Sequence, residues 1–393
     1  MKRQKITLII LSLCLLLTGC GAKYTTTEDA YVPEEDYQFQ YDYGLGSELA
    51  ESETGYYFLI GNYIHYMDKE TLHPMVLCQK PSCLHDKEED PYIVADCNAF
   101  VRADWIGYYN GKVYTIAENL SSSGADLIEI YLDGTGRKLL YHFDIAPTNA
   151  ALHRGYLYFS SKAYREDGTS VTALQAFSIL SSKHKVETVY MSNMSGSDIF
   201  GISGYGNHIF FVESGIQNGE AIRNEIRWNC LTDDITVWEN HIEQDGVEYF
   251  STVLGYYDGK LFEFWSTPSG DDYIMYYWYY DPITGERERC IGLPDQSYPA
   301  RYTDGVYFYH YDTRVNSPIE MYDIGGNLLA QVDMDSRAQM ILPGNEHLFV
   351  IDSLKTFITA YRKSDLASGI VDPIQVLDVN INDYLKSVIT TID

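Results

Sequence analysis

An all-β chain built from repeated four-stranded units is what this sequence predicts, and three observations carry the prediction. Tyrosine supplies 36 of the 393 residues, and aromatic and β-branched side chains pack well on a pleated surface. After the first twenty residues no long window keeps a 3.6-residue apolar period, so amphipathic helices are not expected. Two turn-centred signatures then recur along the chain in a fixed order.

The first signature is a Gly, Asn or Asp turn, one variable residue, an aliphatic residue and an aromatic. It reads Gly111-Lys112-Val113-Tyr114, Gly155-Tyr156-Leu157-Tyr158, Asn207-His208-Ile209-Phe210, Gly259-Lys260-Leu261-Phe262, Asp304-Gly305-Val306-Tyr307 and Glu346-His347-Leu348-Phe349. A tight turn followed by an alternating run is a hairpin. The second signature is an aromatic near a strand end, followed by a polar turn: Tyr66-Met67-Asp68, Tyr131-Leu132-Asp133, Phe177-Ser178-Ile179, Trp228-Asn229-Cys230, Tyr279-Tyr280-Asp281, Met321-Tyr322-Asp323 and Tyr361-Arg362-Lys363. In every unit that carries both, the second signature follows the first at a distance that leaves room for two short strands and the turn between them. That makes two hairpins and four strands per unit.

The aliphatic members of the first signature recur roughly every 40 to 50 residues, and four strands at that spacing are the period of a β-propeller blade. Six units are complete, and residues 55–78 supply three strands of another, which predicts seven blades, with six as the rival count. The incomplete first blade needs a strand from residues 37–43 or from 379–393, the second choice closing the ring through both chain ends. Trp278-Tyr279-Tyr280-Asp281 and Glu320-Met321-Tyr322-Asp323 resemble the aromatic-Asp repeats of low-density lipoprotein receptor type (YWTD-like) propellers, although no unit carries the intact Tyr-Trp-Thr-Asp tetrad. The resemblance implies a fold and transfers no function. Asp281-Pro282-Ile283-Thr284-Gly285 and Asp133-Gly134-Thr135-Gly136 read as turns, because they lack the clustered carboxylates of a calcium loop.

Ahead of the repeats, Lys2, Arg3 and Lys5 precede an apolar run from Ile6 to Leu17 that closes on Leu17-Thr18-Gly19-Cys20. A charged start followed by a short apolar run is a secretory signal. The Leu-Thr-Gly-Cys ending resembles the lipobox of bacterial lipoproteins, which implies cleavage after residue 19, lipidation of Cys20 and a site on the extracytoplasmic face of a bacterial membrane. Residues 20–54, rich in Thr, Glu, Asp, Tyr and Gly, are expected to form a disordered acidic stalk reaching about 30 Å from the anchor, with the propeller over 55–393. Removing residues 1–19 takes three basic residues from the 28 and none of the 56 acids, leaving a net charge of −31. Such a chain repels phosphate backbones and anionic headgroups. Nucleic acid is therefore excluded as a partner, and contact with the membrane is expected through the lipid alone.

One insertion breaks the period. The step from Tyr66 to Tyr131 is longer than any later step between second signatures, and the excess contains Cys78, Cys83, His85 and Cys97. Three thiols and an imidazole match a closed Cys3His zinc site in number and type, giving a candidate structural zinc within 78–97. A disulfide among two of the three cysteines is the alternative in an oxidising compartment. Cys230 and Cys290 read as buried singles or a pair.

No Gly-x-Ser-x-Gly elbow, phosphate loop, His-Glu-x-x-His pair or dinucleotide glycine pattern occurs. The longest loops inside the units carry Tyr164, Arg165, Tyr273, Tyr311 and Arg314, types enriched at interface hot spots. By strand order these loops flank the insertion on one face. The expectation is a binding module for a protein, peptide or glycan with no catalytic residues assigned. Acids such as Glu166, Asp271, Asp272 and Asp312 leave a polysaccharide or peptide hydrolase or lyase as the alternative, and a structural part of an envelope assembly as a third.

Overall fold

The computed structural model describes residues 24–38, 48–83, 85, 96–119, 122–238, 241–244, 246–257, 260–269, 272–281, 284, 286–289, 296–297, 300–304, 306–311, 317–323, 325–353 and 355–379. The leader, Cys20, Cys290, Asp271, Asp312 and Arg314 lie outside the described residues.

Seven antiparallel four-stranded sheets follow one another along the chain as a seven-bladed β-propeller. Blade 1 is Leu49–Glu51, Gly55–Ile60, Tyr63–Asp68 and Pro74–Val76. Blade 2 is Ala103–Tyr109, Lys112–Glu118, Ala125–Tyr131 and Arg137–Phe143. Blade 3 is Thr148–His153, Tyr156–Tyr164, Ser170–Ser178 and Val186–Met191. Blade 4 is Ser195–Tyr205, His208–Gln217, Glu220–Asn229 and Ile235–Trp238. Blade 5 is Val247–Tyr257, Lys260–Ser269, Asp272–Tyr280 and Arg287–Arg289, with two short added strands, His241–Gln244 and Gln296–Ser297. Blade 6 is Ala300–Thr303, Tyr307–Tyr311, Ile319–Asp323 and Leu328–Val332. Blade 7 is Met340–Pro343, His347–Ile351, Phe357–Arg362 and Ile374–Asp378. The one helix among the described residues, Lys363–Ala367, fills the last turn of blade 7.

The first signature marks the start of the second strand in blades 2 to 7, and the second signature marks the end of each third strand. First strands of blades 1 to 4 touch in succession, which puts them at the axis. The cores lie between blades. Trp105, Tyr114 and Phe143 of blade 2 pack on Leu157, Phe159 and Phe177 of blade 3, and Tyr309, Met321 and Ala330 of blade 6 pack on Ile341, Leu348 and Tyr361 of blade 7. Middle strands such as Leu157-Tyr158-Phe159 are buried on both faces, so their apolar runs do not alternate.

Blade 1 corrects the expected closure. Its fourth strand is Leu49–Glu51, which pairs with Gly55–Ile60; of the expected donors, residues 39–43 and 380–393 lie outside the described residues. No strand is exchanged between the chain ends in the described sheets. The ring closes instead by packing: Tyr56 and Phe58 of blade 1 meet Phe349 of blade 7 at 4.9 and 5.1 Å between ring centres, both edge to face. Such pairs contribute about 0.5–1.5 kcal/mol each beyond their buried area. Polar links lie across the same seam, with the Asn345 N–H of blade 7 donating to Glu51 Oε2 at 2.8 Å and Lys69 of blade 1 paired with Glu346 of blade 7 at 3.3 Å.

Of the acidic segment expected as a stalk, residues 20–23 and 39–47 lie outside the described residues, and 24–38 are docked. Residues 24–38 lie against the ring as a strap across the turns that join first to second strands in blades 2, 3 and 4. Tyr24 is only 3% exposed, with its ring 4.9 Å from that of Tyr156 and its hydroxyl accepting a hydrogen bond from Tyr158 at 3.2 Å. Docking of this segment runs through polar groups, which is why a polar composition did not keep it in solvent.

Candidate functional site

The cysteine insertion is held between the rims of blades 1 and 2. Cys78 follows the outer strand of blade 1, and the Gln79 N–H donates to the Gly134 carbonyl in a turn of blade 2 at 3.0 Å. Gly134 has φ +68°, and a Cβ there would stand 3.1 Å from the Cys78 nitrogen, so the close approach needs glycine. Asn98 Nδ2 donates to the same carbonyl at 2.9 Å. On the other side Ile64 N–H donates to the Ala99 carbonyl and Val101 N–H to the Asn62 carbonyl, at 3.0 and 2.8 Å. The Tyr63 hydroxyl donates to the His85 carbonyl at 2.8 Å.

These anchors bring all four expected side chains together. One ligand atom from each of Cys78, Cys83, His85 and Cys97 lies within 4.8 Å of the others, and Cys97 Sγ is 3.7 Å from His85 Nδ1. Metal–sulfur bonds of about 2.3 Å give a tetrahedral edge of about 3.8 Å, so the set is near the size of a filled site. The three cysteines are not joined as disulfides. Burial opposes ionisation of Cys78, but the Lys80 and Asn98 amides and the thiols of Cys97 and Cys83 outweigh it and hold the group below the ordinary thiol range. Burial pushes Cys97 up to about 12, against a hydrogen bond from the Ala99 amide.

Of the other expected site residues, Arg314 lies outside the described residues and the rest fall in blades 3, 5 and 6. Tyr164, at the end of its strand, is 63% exposed. Beside it Arg165 is half-buried and donates to the Ser192 carbonyl at 2.7 Å. Tyr273 pairs with Pro268 in blade 5. Tyr311 is a correction: the second strand of blade 6 extends through it, and it is 1% exposed with its hydroxyl donating to the Gln339 carbonyl at 3.4 Å. It is a core residue of the junction between blades 6 and 7.

A cavity of about 460 Å³ near the axis was not anticipated: Arg102, Asp104 and Trp105 at the start of blade 2, Glu118 at the end of its second strand, Asn149 of blade 3 and Tyr37 of the strap line it. By strand direction it opens on the face that carries the loops between second and third strands. Of the loop residues expected to bind ligand, the described Tyr164, Arg165 and Tyr311 do not line it. Its polar groups are partly engaged with one another: Arg102 and Glu118 are 3.5 Å apart, and Trp105 Nε1 donates to the Ala150 carbonyl at 2.7 Å. A second cavity of about 450 Å³ lies on the opposite face, between strap residues such as Tyr31 and Glu34 and the seam residues Glu51, Lys69 and Asn345.

Tyr37 reaches the axis because the strap is tied beneath it. Arg154 and Asp36 form an ion pair at 2.6 Å with both side chains 0% exposed. Arg154 also donates to Asn207 Oδ1 at 2.7 Å and to the Ala30 carbonyl at 3.1 Å, and the Gly206 N–H donates to Asp36 Oδ2 at 2.7 Å. Gly206 has φ +56°, and a Cβ there would stand 2.0 Å from the Asp29 carbonyl oxygen. His153 Nδ1 accepts from the Tyr37 N–H at 3.1 Å while Nε2 meets the Gly206 carbonyl at 2.9 Å, a pattern that assigns the neutral Nε2–H tautomer. Burial depresses the pKa of His153 to about 3. Burial raises that of Asp36, against the pull of Arg154.

No family model matches the chain, and no curated protein matches it. Solved structures do. A prolyl endopeptidase aligns at TM-score 0.53 with 9% identity, over 86% of this chain and 51% of that one. Prolyl oligopeptidase B from Galerina marginata aligns at 0.52 with 10% identity, over 87% and 52%. The propeller domain of the Trilobed protease from Pyrococcus furiosus aligns at 0.49 with 11% identity, over 86% and 99%. The likeness is one of fold. This chain spans about half the length of the first two proteins, and at such identities their chemistry does not come with it.

Proposed function

We propose that this protein is an exported propeller, anchored by lipid at Cys20 on the extracytoplasmic face of a bacterial membrane, that binds a protein, peptide or glycan segment at its axial cavity. The observation that carries the reading is the cavity of about 460 Å³ on the loop-bearing face, which combines aromatic walls from Trp105 and Tyr37 with the charges of Arg102, Asp104 and Glu118. Concave sites of this size, mostly apolar with a few convergent polar groups, suit a small ligand or a short polymer segment. The test is capture from glycan and surface-peptide libraries, followed by affinity measurement with Arg102→Ala and Asp104→Asn. Loss of about tenfold in affinity, ~1.4 kcal/mol, in at least one variant is expected. Turnover of a polysaccharide or peptide by a protein that retains no ligand contradicts the binding reading in favour of a hydrolase or lyase.

The cysteine cluster in this reading holds one structural zinc ion. Four protein ligands of the Cys3His type leave no open position for substrate. A metal there would join an insertion with little core of its own to the wedge between blades 1 and 2.

A further inference from the structure

We propose that the docked strap fixes how the propeller stands over the membrane, with the strap-bearing turn face toward the bilayer and the axial cavity beside Trp105 and Tyr37 facing away from it. The inference rests on the lipid-anchor reading and adds an orientation that the anchor alone does not give. Tyr24 is wedged between blades 3 and 4, against Tyr156, Tyr158, Ile209 and Trp228. Only Gly21, Ala22 and Lys23 separate it from Cys20. Four peptide steps span at most about 14 Å, half the reach of the flexible stalk expected from composition. Tyr24 must therefore remain within that distance of the lipidated residue.

The strap fixes the attachment point on the turn face of the ring, so a tether this short keeps that face the nearer to the bilayer. It is held across three blades, by Tyr109 of blade 2 hydrogen-bonded to Glu35, by Arg154 of blade 3 on Asp36 and by Asn207 of blade 4, whose Nδ2 donates to the Thr27 carbonyl at 3.1 Å. The strand Tyr156–Tyr164 leads directly away from this attachment. At about 3.3 Å per residue its far end stands about 26 Å further from the bilayer. Exposed Tyr164 and the cavity mouth are then presented to the medium, where a large ligand can approach. The second cavity, between the strap and the seam of blades 1 and 7, then lies on the side that faces the membrane.

The orientation is read by energy transfer to the bilayer. The full chain, processed and lipidated in a bacterial host, is labelled at Ser182→Cys or Glu166→Cys, exposed positions at opposite ends of blade 3, with the unsubstituted chain as the labelling blank. It is then reconstituted in phosphatidylcholine vesicles that carry a headgroup-labelled acceptor. Several-fold stronger quenching at 182 than at 166 is expected. A long Gly/Ser spacer inserted after Lys23, which leaves the propeller and strap untouched, should remove the difference. Equal quenching at both positions without the spacer, in protein whose N-terminal peptide carries the diacylglyceryl mass, overturns the orientation and leaves the anchor intact. Absence of that mass, with the protein free of membranes, overturns both.

Discussion

The cysteine insertion and the N-terminal strap are both polar segments laid on a finished ring, and they are held in opposite ways. In the strap the charges answer each other: Arg154 donates to Asp36, Asn207 and the Ala30 carbonyl, and Asp36 accepts from Arg154 and Gly206. In the insertion four ligand atoms face one another within 4.8 Å, anchored from behind by backbone hydrogen bonds and Asn98 but with only weak thiol and imidazole contacts among themselves. The first arrangement is complete with protein groups alone. The second has the donor set of a metal site.

The largest expected effect lies in the strap. Arg154→Met leaves Asp36 as an uncompensated buried carboxylate, which should cost about 3–5 kcal/mol in denaturant unfolding. Combining it with Asp36→Leu should recover much of that loss, because an apolar pair of similar volume replaces the ion pair. If the single and double variants are equally destabilised, the ion pair is not what secures the strap, and the contrast with the insertion fails.

A smaller effect comes from His153. Its folded-state pKa of about 3 lies below the ordinary histidine value of 6.5, so between these values the unfolded chain takes up a proton that the folded chain refuses. The contribution of neutral His153 is present above pH 6.5 and declines as pH falls toward 3. At pH 5 the loss should be about 2 kcal/mol. His208 and His347, also lowered by burial, act in the same direction. Asp36, raised by burial, binds its proton more firmly when folded and offsets part of the loss. Thermal unfolding at pH 7 and pH 5, compared with His153→Gln, measures the share of this residue. An unchanged pH dependence in the variant would show that His153 is not held neutral beneath the strap.

The ring was legible because its determinants are local and repeated. A hairpin turn must be small or take positive φ, and the aliphatic and aromatic residues after it must fill a wedge between sheets, so Val113-Tyr114, Leu157-Tyr158 and Leu348-Phe349 mark equivalent strands. Leu49–Glu51 gave no such signal. It is three residues long and ends in a buried glutamate that depends on Lys69, a partner reached only in the fold. The strap was missed for a related reason. Its groups are satisfied by residues far along the chain, as with Asp36 and Arg154, and composition registers the polarity without the partner.

One clue was present in the sequence. Arg154 precedes Gly155 at a turn where blade 2 has Asn110-Gly111, and it adopts φ +49° where Asn has +47°. A long cation in a position suited to Asn points to a role beyond the turn. The cysteine cluster was legible from residue type and from the break in period. Its place at the rim was not, because Gly134 and the turn around it belong to the next blade.

Metal content measured together with thiol count on the native protein tests the central contrast most directly. The expected result is one zinc per chain that survives gel filtration, with Cys78, Cys83 and Cys97 slow to react with a thiol reagent until a chelator is added, and no zinc retained by Cys97→Ser. A protein purified without chelator that holds no zinc and whose three thiols react at once, or that carries a disulfide among them, would contradict the account.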